Sequence, residues 1–178
     1  MSSRFEFTKL SLPGSFVIDR RPITDHRGNF ARFFCAKEFE SLGLNRPIAQ
    51  MNTTLTKERG VIRGMHFQRS PFEEQKVVTC VAGSIWDVII DVRESSPTYL
   101  KWHAEILSQE NQRSIFIPSG FAHGFQTLTQ NCSLIYLHSE FYTPEAEHGL
   151  RYDDPQLGIS WPEPVTFVSD RDKSHPLI

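Results

Sequence analysis

The sequence has few cysteines and no long apolar run. Its three cysteines, Cys35, Cys80 and Cys132, are an odd number and show no CxxC spacing. We therefore expect reduced thiols in a cytoplasmic protein rather than a disulfide framework. No run approaches the roughly 18 apolar residues of a membrane span, and no apolar segment follows the first residues. We accordingly expect no membrane association and no secretory signal.

An excess of positive charge is also absent. The chain has 19 lysines and arginines against 21 aspartates and glutamates, a net charge of −2, and an isoelectric point near 6.4. This balance argues against a nucleic-acid partner, because such proteins are usually basic. The patterns GxGxxG, GxxxxGK[ST] and GxSxG do not occur, which argues against a dinucleotide site, a P-loop and a serine nucleophile elbow.

The sequence is rich in short strand signals. With 178 residues, 14 phenylalanines and 11 prolines, it favours one domain over 1–178, built from short strands and rigid turns. The best helix candidate is 36–44, with Gly43 as a stop signal. Turn signals recur at roughly 8–12 residues, which is typical of a sandwich or barrel. The strand candidates are 15–22, 47–56, 61–68, 102–108, 114–118, 121–129 and 132–142, with a turn and then a strand in 25–34 and a hairpin in 76–93 that turns at Gly83 and Ser84.

This pattern predicts an all-β fold, a double-sheet jelly roll with one or few short helices. Two sheets of this size can leave a cavity at the mouth of the sandwich, where ligands commonly bind. The segment from 153 onward is rich in proline and aspartate and has little periodicity. We expect this C-terminal tail to wrap the surface of the sandwich.

One predicted strand, GVIRGMHFQ (60–68), carries a cation and an imidazole among apolar residues. Side chains alternate along a strand, so Arg63 and Met65 would face one way and His66 the other, unless Gly64 bends the strand. Burying either polar group without a partner costs several kcal/mol. Arg63 and His66 must therefore be paired, or they must face a pocket.

The histidine spacing argues against a metal site of the cupin type, which needs the pattern HxH. His66 is followed by Phe67 and Gln68, and His123 by Gly124 and Phe125. What remains is a metal-free acid–base site. Taken singly, each candidate is more often structural: a tyrosine packs, and Lys76 beside Glu73 and Glu74 fits a solvated strand end. The candidates are His66, Lys76, His123, Tyr136, His138, Tyr142 and the acidic residues of the tail.

Taken together, these residues stand in a series of longer motifs: DHRGNF, QMN, GVIRGMHFQ, QKVV, IPSGFAHGF, LIYLHSEFYTP, YDDPQLGISWP and SDRD. In this order they resemble the dTDP-4-dehydrorhamnose 3,5-epimerase family of nucleotide-sugar epimerases. The likeness covers roughly residues 15 to 176. It implies a cupin-like double-stranded β-helix that forms a homodimer, with an N-terminal arm and the C-terminal tail packing on the sandwich or on the dimer partner.

The resemblance also implies a reaction that needs no metal or organic cofactor. The substrate would be a 4-keto-6-deoxy nucleotide sugar, inverted at C3, C5 or both through an enolate. His66 would be the base and Asp172 its carboxylate partner. Tyr136 would be the acid on the opposite face, and Lys76 would stabilise the enolate oxygen.

The family motifs also assign the binding of the nucleotide. Arg63, Arg27 and Arg171 would bind the diphosphate, since an arginine presents a fork of donors. Tyr142 would stack on the base with help from Phe30, and Arg27 and Phe30 would come from a neighbouring subunit. The remaining positions that match substrate contacts are Gln50, Asn52, His123 and Glu147.

Three positions depart from the family pattern. Arg32 stands where well-known members carry a glutamate that accepts from thymine. An arginine only donates, so Arg32 favours a base other than thymine, such as cytosine, unless its side chain points away or reaches phosphate. Gln75 and Tyr152 replace a common glycine and a common tryptophan, and either could restrict inversion to one carbon.

Other functions stay open at this point. A single-site 3- or 5-epimerase, acting on another sugar nucleotide such as a CDP-linked one, would use the same residues. A keto-sugar ketoisomerase of the same fold would also use paired histidine and tyrosine. A non-catalytic sugar-nucleotide-binding protein is disfavoured, because we would expect it to have lost His66, Tyr136 or Asp172, and all three are present.

Overall fold

The computed structural model describes residues 3–178, which form mainly β-strands. Two helices are short, α1 (Ala36–Phe39) and α2 (Asp170–Lys173), and 3-10 turns lie at Glu40–Leu42 and Pro144–Ala146. The strands are β1 (Phe5–Lys9), β2 (Phe16–Arg20), β3 (Ile23–Asp25), β4 (Gly28–Phe30), β5 (Gln50–Thr56), β6 (Val61–Gln68), β7 (Lys76–Ala82), β8 (Ser84–Asp91), β9 (Trp102–Ser108), β10 (Arg113–Ile117), β11 (Phe121–Thr127), β12 (Cys132–His138), β13 (Glu147–Gly149) and β14 (Phe167–Val168).

Two sheets form the sandwich. The first has the strand order β1-β2-β10-β7-β12-β5, and the second has the order β13-β6-β11-β8-β9, with β14 pairing parallel to β6. Strands β3 and β4 form a separate hairpin. The predicted all-β, jelly-roll fold with few short helices is confirmed.

Strand β8 shows why the central strands read as unbroken apolar runs. Its side chains Ile85 and Ile89 belong to the core between the two sheets. The alternating side chains Val88 and Ile90 belong to a second cluster on the outer face, which Leu157 of the C-terminal tail helps to cover. Because both faces of the strand are buried, both sets of positions must be apolar.

The outer face of the first sheet is covered by the helical segment, which is α1 with the 3-10 turn that follows it, and Phe39 and Leu42 of this segment are buried. The predicted helix over 36–44 was too long: α1 has four residues and continues as a 3-10 turn, which Gly43 ends at φ 91°. No side chain caps the N-terminus of α1, so burial of its apolar residues holds the turn. The strand predicted after a turn in 25–34 also ends early, at Phe30, because the β3–β4 hairpin finds no further partner strand among residues 3–178.

A bulge in β6 decides where its polar side chains point. His66 lies opposite His123, whereas Arg63 lies opposite Phe125. Between these two pairs, β6 therefore has one residue more than β11. One extra residue reverses the alternation. Arg63 and His66 therefore line the same cavity, so the exception to alternation that Gly64 allowed is the case that holds.

Gly64 permits this bulge. Its φ is 122°, and a Cβ at this position would lie 2.5 Å from the Cα of Gly124. A side chain would therefore be strained both by the backbone conformation and by the neighbouring strand. Met65, the next residue, is fully buried on the outer face of the sheet.

Within residues 3–178, no helix is long and apolar enough to span a membrane. The three cysteines are free thiols. Burial raises the pKa of the Cys80 thiol to about 12, so this group stays protonated and packs as a small apolar side chain.

Candidate active site

A cavity of about 570 Å³ opens between the two sheets. Strands β5, β7 and β12 of the first sheet form one wall, and β6 and β11 of the second sheet form the other, together with residues near α2. Eleven of the fourteen side chains predicted from the sequence line it: His66, Lys76, Tyr136, Asp172, Gln50, Asn52, Arg63, His123, Tyr142, Glu147 and Arg171.

His66 and Asp172 form a hydrogen-bonded pair on one wall. Nε2 of His66 lies 2.8 Å from Oδ1 of Asp172, and the backbone N–H of Gly64 donates to Oδ2 at 3.2 Å. The N-terminus of α2 holds Asp172 in place, because Oγ of Ser169 accepts from its backbone N–H. The carboxylate thereby fixes the orientation of the imidazole.

The pKa of Asp172 is lowered by this environment. Burial raises the pKa, but the hydrogen bond and charge of His66 and the donors from Gly64 and Ser169 together outweigh burial. Asp172 therefore stays ionised and can stabilise a proton that arrives on His66.

Tyr136 lies on the other wall, on β12. Its ring stands edge-on to His123, with 6.1 Å between ring centroids, and stacks on His138 at 5.9 Å. Burial is the largest cause that raises the pKa of the Tyr136 phenol, and the charge of Asp87 adds to it. The phenol thus keeps its proton at neutral pH, as a proton donor requires. The imidazole of His66 and the phenol of Tyr136 belong to opposite sheets.

Lys76 belongs to a buried charged cluster. Its Nζ lies 2.7 Å from Oε1 of Glu74, and Nδ1 of His138 lies 2.6 Å from the other oxygen of Glu74. Burial alone raises the pKa of Glu74, but Lys76 and His138 lower it to about 2. The reading of Lys76 as a solvated strand end is wrong, because only 6% of the residue is exposed.

Sequence reasoning missed the roles of Glu74 and Asp87. The signal for Glu74 is its spacing of two from Lys76, which places both side chains on one face of an extended chain. Asp87 is fully buried and lies 2.7 Å from Nε2 of His123. Asp87 is the acid in the middle of the apolar strand SIWDVIID, which ends on a second acid, Asp91, and a buried acid requires a partner.

Further polar side chains of the cavity lining are bonded in two separate sets. Nε of Arg63 donates to Thr56 at 3.0 Å. The hydroxyl of Tyr142 donates to Glu147 at 2.7 Å, and Arg171 forms an ion pair with the same carboxylate. Glu147 thus joins Arg171 to the exposed ring of Tyr142, whereas Arg63 is bonded at Thr56, the last residue of β5.

Gln50 and Asn52, both on β5, bond to neighbouring parts of the cavity lining. Oε1 of Gln50 accepts from the backbone N–H of Tyr142 at 2.9 Å. Nδ2 of Asn52 lies 3.3 Å from Nε2 of His138, so Asn52 extends the buried Glu74 cluster toward the cavity.

Three predicted site residues lie away from this cavity. Arg27 and Phe30 sit on the β3–β4 hairpin, where Arg27 pairs with Asp25 and Phe30 is 73% exposed. Arg32 pairs with Glu38 beside α1. Within one chain, the structure therefore does not bring these three side chains to the site.

The other two departures from the family pattern also lie outside the cavity lining. Nε2 of Gln75 donates to the backbone carbonyl of Gly43 at 2.7 Å, so its side chain anchors the end of the helical segment. Tyr152 accepts from Nε1 of Trp161 through its backbone carbonyl. Neither side chain narrows the cavity directly.

The arrangement suits proton transfer on both faces of a bound ring. A base with an ionised partner stands on one wall, an un-ionised phenol on the other, and a lysine beside them. Such groups can remove a proton from one face of a carbon and return one to the other face. The guanidinium groups of Arg63 and Arg171, which both line the cavity, suit a phosphate group.

Comparison with known proteins gives a consistent result. Residues 9–178 match the family model described as dTDP-4-dehydrorhamnose 3,5-epimerase. The chain is 41% identical over 171 residues to a dTDP-4-dehydrorhamnose 3,5-epimerase of Sinorhizobium fredii, covering 96% of this chain and 88% of the relative.

Solved structures agree. The structure of dTDP-6-deoxy-D-glucose-3,5-epimerase RmlC of Legionella pneumophila in complex with dTDP-4-keto-L-rhamnose has a TM-score of 0.92 at 37% identity, covering 97% of this chain and 92% of the other. ChmJ, a 3'-monoepimerase of Streptomyces bikiniensis in complex with dTDP-quinovose, has a TM-score of 0.87 at 33% identity, with 96% and 86% covered. The chain belongs to the dTDP-4-dehydrorhamnose 3,5-epimerase family.

Proposed function

We propose that this protein is an isomerase that epimerises a 4-keto-6-deoxy nucleotide sugar at C3, C5 or both, of the type dTDP-4-dehydro-6-deoxyglucose to dTDP-4-dehydrorhamnose. The observation that carries the proposal is that His66, paired with Asp172, and Tyr136 lie on opposite sheets and line one cavity, which Lys76 also lines. Family membership supports the substrate class.

The chemistry follows from the ketone. A carbonyl group at C4 acidifies the neighbouring C–H bonds, so His66 can remove a proton from C3 or C5. Asp172 stabilises the imidazolium that forms, and the ammonium of Lys76 stabilises the enolate oxygen. Tyr136 then donates a proton to the opposite face of the same carbon, which inverts it. Each step moves only a proton, so side chains are sufficient and no cofactor is proposed.

The nucleotide would lie at the outer end of the cavity. Arg63 and Arg171 would bind the diphosphate, and the exposed ring of Tyr142 would stack on the base. Glu147 would orient Arg171, with which it is paired. The remaining predicted contacts are proposed at the sugar or at the rim: Gln50, Asn52 and His123.

We further propose a homodimer of this single domain, located in the cytoplasm. The β3–β4 hairpin exposes Arg27 and Phe30 away from its own cavity, as expected if a neighbouring subunit uses them. Strand β5 is an edge strand whose Met51 and Leu55 side chains are exposed; such edges invite pairing. The free thiols support a reducing compartment. A monomeric species with full turnover would contradict the dimer.

A one-carbon epimerase is the second candidate, because ChmJ, which acts as a 3'-monoepimerase, has the same fold. Within one chain, neither Gln75 nor Arg32 lines the cavity. Neither side chain therefore decides between inversion at one carbon and at two, or between cytosine and thymine. A ketoisomerase fits less well, because an acid and a base on opposite walls suit the inversion of a carbon. A sugar-nucleotide-binding protein fits less well because it needs neither group.

The test is proton NMR of the protein with dTDP-4-keto-6-deoxyglucose in deuterated water. Deuterium at both C3 and C5 supports the double epimerase, and deuterium at one carbon supports the single-site enzyme. His66→Asn should abolish the exchange, whereas His103→Ala, a histidine on β9 outside the cavity lining, should preserve it. No His66-dependent exchange refutes this substrate, and the same experiment with the CDP-linked sugar then tests the alternative base.

A further inference from the structure

A third metal-ligand side chain lies beside the His66–Asp172 pair. One ligand atom from each of His66, Asp172 and His175 can be chosen so that all three lie within 4.8 Å of one another. The rings of His66 and His175 are 6.0 Å apart between centroids and inclined at 72°. The epimerisation chemistry makes no use of His175, which does not line the cavity.

His175 is held in this position by Gly149 on β13. A Cβ at Gly149 would collide with the ring of His175, and Gly149 itself pairs with His66 in the register of β13 and β6. Nε2 of His175 is buried and has no hydrogen-bond partner among the described residues 3–178. A buried ring nitrogen without a partner is uncommon and calls for one.

Two imidazoles and a carboxylate are a ligand set that suits first-row transition metals. Zn²⁺ binds histidine nitrogen and carboxylate oxygen at about 2.0–2.2 Å, and its non-structural sites combine three protein ligands with one open position. At such bond lengths, tetrahedral ligand atoms lie about 3.3 Å apart. To reach this value, side-chain rotations would have to shorten the wider separations, which are at most 4.8 Å, and lengthen the 2.8 Å between His66 and Asp172.

The site is accessible from the cavity. His66 and Asp172 both line it, so an ion could reach them from solvent and keep its fourth position toward the cavity. The charged groups nearest to the site, Arg171 and Glu147, are paired with each other and leave little net charge to repel a cation. Hard ions such as Mg²⁺ and Ca²⁺ prefer an all-oxygen set, which this site lacks.

We propose that His66, Asp172 and His175 bind a divalent first-row transition-metal ion, with Zn²⁺ as the probe, and that the ion inhibits the enzyme. Nε2 of His66 faces Asp172, so Nδ1 is the nitrogen that would accept the proton from substrate carbon. An ion bonded to Nε2 would leave the proton of the neutral ring on Nδ1, and His66 would then have no free lone pair for the substrate. The binding part stands on the geometry alone. The inhibition part rests on the proposed function.

Binding is tested by calorimetric titration of the metal-free full-length protein with Zn²⁺ at neutral pH. We expect one ion per chain and a higher melting temperature. His175→Gln should weaken binding at least about tenfold, the smallest loss usual when even an outer-shell partner is removed, and His103→Ala should bind as the wild type. Equal affinity in His175→Gln and the wild type, or equal stabilisation by Mg²⁺, overturns the site.

A second variant guards against a folding defect in the first. Gly149→Ala keeps all three ligands but displaces the ring of His175, so it should also weaken Zn²⁺ binding. The melting temperature without metal, recorded for each variant, reports whether the fold is intact. A folded Gly149→Ala protein with wild-type zinc affinity would contradict the placement of His175.

Inhibition is measured as deuterium exchange into the keto sugar with and without Zn²⁺, each variant being compared with itself. Exchange by the wild type should fall with Zn²⁺ and recover with a chelator, and His175→Gln should resist the same concentration. Equal inhibition of both proteins overturns the inhibitory role. Absence of exchange even without zinc would refute the proposed function, and calorimetry would still decide the metal site.

Discussion

Replacing Glu74 with glutamine should destabilise the protein in a way that depends on pH. Glu74 accepts from both Lys76 and His138 in a buried cluster. Glutamine keeps the size of the side chain and removes its charge, so Lys76 would remain buried without a counter-ion. Breaking a buried ion pair in this way typically costs about 3–5 kcal/mol.

The pKa of Glu74 gives an independent magnitude. Lys76 and His138 overcome the effect of burial and lower it from 4.5 to about 2. A folded-state pKa below the unfolded value contributes stability that is present above the unfolded pKa and is lost as the pH falls through the folded one. For this shift, the contribution is about 3 kcal/mol at pH 7 and about 1 kcal/mol near pH 3.

The assay is equilibrium unfolding in urea at about pH 7 and about pH 3. The difference in the free energy of unfolding between the wild type and Glu74→Gln should be about 3 kcal/mol at neutral pH and should shrink to about 1 kcal/mol in acid. Glu73→Gln is the matched control, since Glu73 forms no ion pair among residues 3–178. A difference that stays the same at both pH values, or that the control reproduces, would refute the reasoning.

Three further predictions concern the site. Gly64→Ala should lower the free energy of unfolding by about 1–3 kcal/mol in a urea titration, because φ 122° strains alanine and its Cβ would strike β11. Asp172→Asn should slow steady-state turnover by about 10²–10⁴, because His66 loses its ionised partner; normal turnover would contradict the pair. Tyr136→Phe should slow inversion by a similar factor. By NMR the substrate should still take up deuterium, since His66 can still exchange its proton. Loss of deuterium uptake together with inversion would argue against Tyr136 as the acid.

Much of the fold could be predicted from local patterns. The strands from β5 to β12 coincide with apolar runs separated by turn residues, because the buried faces of a strand require apolar residues at positions that can be read along the chain. The helical segment 36–44 was predicted too long, since α1 is held by packing of Phe39 and Leu42 and not by capping. The strand after the turn in 25–34 was predicted too long, because strand length depends on a partner strand.

The sequence by itself determined which chemical groups the protein has, the family to which it belongs and the two-sheet fold. Only the tertiary structure decided which groups meet. His66 and Asp172 are 106 residues apart in the chain, and Glu74 and His138 are 64 apart. A single extra residue in β6 turns Arg63 and His66 into the same cavity. Contacts of this kind depend on strand register and on bulges, which arise from pairing between distant segments and leave no periodic signal in the chain.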